Sequence, residues 1–156
     1  MRGCSVALSI VAAAVLSGPV QAQQPVATPD PEILKTVQRF FDAMRTKDTT
    51  TLRALVDSGT RLVTTLTREG RPLMRGGSID RFIQAVGAAQ QPFDERIYEP
   101  EVRQDENLAT VWTRYTFHLA GHLSHCGYDA FQLFKSESGW KVFHIADTQR
   151  REGCAP

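Results

Sequence analysis

Two short runs near the C-terminus constrain this chain more than any other feature. Residues 128–135 read YDAFQLFK and residues 139–145 read GWKVFHI, with a turn made by Ser136, Glu137, Ser138 and Gly139. Alternating runs about a short turn that ends in Gly predict a β-hairpin. Its faces are both apolar: Phe131 and Leu133 lie on one, and Phe134, Phe143 and Ile145 on the other. A sheet that is apolar on both faces needs cover on both. The hairpin also brings an acid towards a base. With the turn centred on Glu137 and Ser138, Phe131 stands opposite His144 and Asp129 opposite Ala146. Asp129, Phe131, Leu133, Val142 and His144 then share one face. With the parity reversed, Phe143, Ile145 and Asp147 face inward and His144 lies outside.

The elements before the hairpin supply one of the two covers. Asp30 is placed to cap a helix, with Pro31 at its first position. Ile33, Leu34, Val37, Phe40, Phe41 and Met44 follow at helical spacing, to about Lys47. Asp48 or Thr49 caps a short second helix through Leu55 and Val56. Residues 61–67 read as a strand, Glu69 and Gly70 as a turn, and Leu73 and Met74 as a short returning strand. Ser78 opens a third helix carrying Ile79, Phe82, Ile83 and Val86. The rest is β: a weak strand at 96–98, a better one at 101–104, a turn at 105–107 and a long strand at 108–119. Residues 121–126 form a connection into the hairpin. Helices first and antiparallel strands after is an α+β layout, with a long bent sheet wrapped around the first helix.

The first residues read as an export signal. Arg2 follows Met1, an apolar run extends over residues 6–16, and Val20, Gln21 and Ala22 form a small-x-small cleavage site. The run is too short to span a bilayer. The expected division is a signal peptide at 1–22, a disordered polar leader at 23–29, one domain at 30–150 and a solvated tail at 151–156. The expected location is periplasmic or secreted, with no membrane contact in the mature form. Cleavage removes Cys4 and leaves Cys126 and Cys154, an even pair in an oxidising compartment. A disulfide between them spans 28 residues and contributes about 3 kcal/mol; two free thiols are the alternative. A net charge of +1 in 156 residues carries no footprint for nucleic acid.

The run VQRFFDAM (37–44) leading into Lys47 and Asp48, together with the closing DAFQLF (129–134) and GWKV (139–142), resembles the nuclear transport factor 2-like superfamily. The resemblance covers roughly residues 30–148 and implies a cone-shaped roll, with N-terminal helices packed on a curved antiparallel sheet around one cavity. It also implies a homodimer through the sheet, which would cover the hairpin's outer face. The superfamily includes ketosteroid isomerases, polyketide cyclases, scytalone dehydratases and binding proteins, so activity does not follow from fold. Compared with the isomerases, Phe40 replaces the catalytic tyrosine of the first helix. No carboxylate occurs between Asp57 and Glu69, where their general base lies. Asp129 matches their second acid, and His144 falls at an apolar cavity position.

Asp129 and His144 are therefore the candidate acid–base pair, and Phe40, Tyr115, Phe117 and Phe131 the candidate cavity residues. A carboxyl among apolar side chains has a raised pKa and can donate a hydrogen bond. Tyr115 shares a strand face with Val111 and Phe117, opposite Trp112. His118, His122 and His125 straddle a strand end and a loop, without a carboxylate motif, and predict no metal site. No cofactor is expected. The leading functional expectation is an exported domain that binds a small apolar molecule. One alternative is an enzyme of the cyclase, dehydratase or isomerase kind, with His144 as base and Asp129 as oxyanion donor. Another is a non-catalytic interaction module whose cavity is closed by its own phenylalanines.

Overall fold

The computed structural model describes residues 28–154. The expected signal peptide, residues 23–27 of the leader and the last two residues of the tail lie outside them. Three helices and six strands follow in the order α1 (Pro31–Thr46), α2 (Thr49–Leu55), β1 (Val56–Arg68), β2 (Arg71–Ser78), α3 (Ile79–Ala88), β3 (Phe93–Asp105), β4 (Leu108–Leu119), β5 (His122–Ser136) and β6 (Gly139–Gln149). The strands form one sheet in the order β2-β1-β6-β5-β4-β3. Neighbours run antiparallel except β1 and β6, which are parallel. The architecture is α+β, helices against a curved sheet, as expected.

One carboxylate fastens the first helix to the closing hairpin. Asp30 caps α1 by accepting from the Glu32 N–H at 3.0 Å. Its other oxygen accepts from Trp140 Nε1 and Lys135 Nζ, each at 3.0 Å. The Trp140 bond, with the Glu32 and Lys135 contacts behind it, lowers its pKa to about 2. The apolar stripe of α1 is then held over the sheet, where Ile33, Val37, Phe40, Phe41 and Met44 are buried. Phe40 and Phe41 meet Phe131 of β5 edge to face, at centroid distances of 5.9 and 5.5 Å. Phe40 also stacks on Phe82 of α3 at 6.0 Å. One aromatic cluster thus joins α1, α3 and the sheet.

Irregularities in the strands decide what faces the helices. β3 runs unbroken through the two segments expected at 96–98 and 101–104. Its register shifts between Tyr98 and Glu101, where Glu99 has φ 52 and Pro100 follows. A bulge on an edge strand tolerates a proline and reads in sequence as a break. The expected connection at 121–126 is mostly strand. Ala120 and Gly121, both with positive φ, turn the chain in two residues, and β5 starts at His122.

The hairpin turn falls where expected, with Ser136 paired to Gly139. Its register does not hold beyond the first few pairs. Val142 pairs with Leu133 but His144 pairs with Gln132, so Phe143 is an extra residue in β6. Phe131 consequently stands opposite Ile145 and Asp129 opposite Asp147. One inserted residue reverses side-chain parity beyond it.

At the far end of β5, Cys126 and Cys154 form a disulfide. Reciprocal 2.9 Å backbone bonds between Cys126 and Arg150 hold the tail beside it. Gly127 sits under the Thr148 carbonyl, and a Cβ there would lie 1.7 Å from that oxygen. The same carbonyl accepts from the Tyr115 hydroxyl at 3.0 Å. Gly127→Ala should therefore push the end of β6 off the sheet and cost about 1–3 kcal/mol. Urea unfolding checks this; wild-type stability would contradict the close packing described.

Candidate functional site

The concave face of the sheet and the helices enclose a cavity of about 240 Å³. Phe40, Phe41 and Met44 of α1 and Phe82 of α3 form one wall. Phe93, Phe117, Phe131, Leu62 and Ile145 continue it on the sheet. The polar residues come from five strands: Thr64 on β1, Glu95 on β3, Tyr115 on β4, His125 and Asp129 on β5, and Asp147 on β6. No Lys or Arg lines the cavity among the described residues.

Asp129 is the most enclosed of the acids, 3% exposed. Its Oδ2 is buried and receives no hydrogen bond from any N–H or hydroxyl donor. Glu95 lines the same cavity, and one proton shared between its carboxyl and that of Asp129 would satisfy the pair. Burial raises the pKa of Asp129 well above the usual carboxylate range, and the Glu95 charge, the hydrogen bond with Glu95 and the Asp147 charge raise it further. Burial also pushes Glu95 up to about 8, against a lowering by its hydrogen bond with Asp129 and with the Asp147 charge adding to the rise.

Asp147 is the better-served acid. Thr64 Oγ1 donates to its Oδ1 at 2.7 Å, and Tyr115 reaches its Oδ2 at 3.4 Å. Burial still raises its pKa, partly offset by these two bonds. Tyr115 itself is 1% exposed. Burial first, and then the three surrounding acids, raise its pKa, so it remains a phenol and a hydrogen-bond donor. His125 stacks on Phe117 at 4.7 Å and meets Tyr115 edge-on at 5.9 Å. Burial and then the charge of Arg151 lower its pKa, favouring the neutral imidazole. The arrangement can hold and move a proton among Glu95, Asp129 and Asp147, with Tyr115 and His125 at its margin.

The cavity brings together Asp129, Phe40, Tyr115, Phe117 and Phe131 from the sequence analysis. His144 requires correction. It pairs with Gln132 and is absent from the lining, while its neighbours Ile145 and Asp147 are present. The Phe143 bulge is the reason: counted without it, His144 falls inward. Beyond it, Phe143 meets Phe134 on the outer face, at 6.3 Å. Of the three loop histidines only His125 lines the cavity, because β5 begins earlier than expected. Among the described residues, no three His, Cys, Asp or Glu side chains are grouped to hold a metal ion.

Glu95 and Thr64 were not singled out by the sequence. Glu95 alternates with Phe93 and Ile97, the signal of an inward position, but the bulge at Glu99 and Pro100 truncates the apparent strand. Asp147 appears only in the reversed-parity reading, which is the one the bulge selects.

Neither a protein-family model nor a curated protein matches the chain. Solved structures do match. A protein of Cytophaga hutchinsonii described as NTF2-like superposes with a TM-score of 0.62 at 13% identity, over 76% of this chain and 96% of that one. An NTF2-like protein of unknown function from Shewanella baltica gives 0.58 at 15%, over 77% and 92%. Another of the same description, from Pseudomonas putida, gives 0.60 at 16%, over 78% and 87%. At these identities the likeness speaks to fold alone: the chain has the nuclear transport factor 2-like fold.

The raised carboxyl pKa values dictate a pH dependence of stability. A group whose folded pKa lies above its unfolded value binds more protons when folded. Its contribution is full below the unfolded pKa and is lost as pH rises through the folded one. The window here runs from the ordinary glutamate value of 4.5 to about 8. Stability should fall across it, with a slope of about 1.4 kcal/mol per pH unit for each extra proton bound. Asp129→Asn should flatten the slope and raise the midpoint at the alkaline end. Denaturant titrations across this window check both; a curve that rises with pH would contradict the shared proton.

Proposed function

We propose that the chain is an exported domain that binds a small, largely apolar molecule in this cavity, with one polar group of the ligand set against Glu95, Asp129 and Asp147. The single observation that carries the reading is Asp129: almost wholly buried, with an oxygen lacking a donor, in the wall of an open space lined by aromatic rings. Burying a carboxyl without a cation costs several kcal/mol relative to an apolar residue. A fold that needed only a packed core would not keep such a group, and perturbed acids in a cavity mark functional sites. Phe40, Phe41, Phe117 and Phe131 narrow the cone without filling it, which disfavours a purely structural interior. Export is supported by the disulfide. Among the described residues no helix is long and apolar enough to cross a membrane.

An enzymatic reading has one observation in its favour, the buried Asp129 carboxyl in a cavity that Glu95 also lines. A neutral acid beside an ionised one is an arrangement that can donate and withdraw protons in an isomerisation or dehydration. In that reading Asp129 and Glu95 exchange the proton, Tyr115 and Asp147 orient the substrate, and His144 has no part. The outer face, where Trp112 stacks on Tyr128 at 5.3 Å and Phe134 meets Phe143, fits pairing with a second copy of the chain.

Phe131→Trp should fill the cavity and weaken binding of a small aromatic compound such as indole about tenfold or more, whereas His144→Ala should leave binding within about twofold. Fluorescence or calorimetric titration checks both. Equal losses for the two variants would contradict the assignment of the binding site.

A further inference from the structure

The chemistry of the cavity also selects the kind of polar group its ligand carries. We propose that the ligand is a protonated amine on a small aromatic or aliphatic frame, its ammonium seated between Asp129, Glu95 and Asp147 and its frame against the phenylalanine wall. The proposal rests on the reading that the cavity is a binding site.

Three observations on the geometry point the same way. Three carboxyl groups from three strands line one cavity, and no Lys or Arg lines it among the described residues. Asp129 Oδ2, on a side chain 3% exposed, lacks an N–H or hydroxyl donor. An ammonium supplies several donors at one atom, and hydrogen bonds from a charged donor to a carboxylate are the strong ones. The remaining wall is aromatic, with Phe40, Phe82, Phe93, Phe117 and Tyr115 all on the lining. Aromatic rings attract a cation, more so where water is excluded. A ligand carboxylate or phosphate would instead add charge to an acidic site. A neutral alcohol would satisfy one acceptor and leave the acids holding their own proton.

The electrostatics agree with this placement. The groups facing the ammonium are Glu95 on β3, Tyr115 on β4, His125 and Asp129 on β5, and Asp147 on β6; β1 adds only the Thr64 hydroxyl, and the lining residues of α1 and α3 are uncharged. Arg151 acts on His125 from the tail. Burial raises the pKa of both acids, and the Glu95 charge raises that of Asp129 further, which favours their neutral forms in the empty site. A bound ammonium favours the ionised form of every acid around it, so it should displace the shared proton. Amine affinity should then rise with pH towards about 8, where Glu95 of the empty site gives up its proton.

The test uses the disulfide-bonded chain, with benzylamine and benzyl alcohol as a pair differing at one polar group. Isothermal titration at about pH 5.5 and about pH 8, in buffers of different ionisation enthalpy, reads affinity and proton release together. At the higher pH the expected result is benzylamine binding about tenfold or more tightly than benzyl alcohol. At the lower pH its affinity should be weaker, with release of about one proton on binding. Asp129→Asn, close in shape to the native residue, should remove most of the preference by weakening benzylamine about tenfold more than benzyl alcohol. Benzyl alcohol binding as well as the amine at both pH values would overturn the amine assignment and leave the cavity as a binding site for neutral compounds. Failure of both to bind would overturn the binding-site reading itself, and the amine assignment with it.

Discussion

A single extra residue in β6 governs what this cavity is. Without the bulge at Phe143, the closing strand would turn His144 inward and Asp147 outward, and the interior would hold an acid–base pair. With it, Ile145 and Asp147 face the helices and the interior holds three acids. The alternation of β structure makes such an insertion all-or-none, because every residue beyond it changes face. Phe143 is accommodated on the outer side against Phe134, where an apolar neighbour was already present.

The acid-rich interior is then stable only in particular protonation states. Full ionisation of Glu95, Asp129 and Asp147 would place three like charges in an apolar enclosure, and the described residues place no cation among them. Asp147 is eased by Thr64 and Tyr115, while Asp129 and Glu95 have each other. The rest of the fold bears this cost through its aromatic cluster, the cap that ties α1 to the hairpin and the disulfide that holds the tail. These lie around the cavity and keep its walls in place. The site and the scaffold therefore contribute with opposite sign to stability.

Much of the fold was legible because its signals are local and periodic. The α1 stripe, the Asp30 cap with Pro31, the long alternation of β4 and the turn at residues 136–139 all appear in the structure where the sequence places them. The cysteine pairing followed from counting residues after an expected cleavage. Phe131, Tyr115 and Phe117 followed from strand alternation, Phe40 from the resemblance, and Asp129 from both. What escaped was set by non-local register. The bulge at Phe143 has no Gly or Pro to announce it, so the hairpin appears regular and His144 appears internal. Glu95 escaped for the opposite reason: Pro100 advertises a break, yet the strand merely bulges and continues. Glu95 and Asp129 meet only because β3 and β5 flank β4, a contact between side chains well separated in sequence and one strand apart in the sheet.

The central claim is that Glu95 and Asp129 retain a shared proton in the folded, unliganded protein. The most direct measurement is the titration of side-chain carboxyl ¹³C shifts by NMR, with Asp129→Asn and Glu95→Gln variants assigning the signals. The account predicts that the pair keeps a proton up to about pH 8, and that each variant removes one of the two coupled carboxyl signals and shifts the transition of the other. If every cavity carboxyl is ionised by about pH 5, near the ordinary range for these groups, the account is wrong.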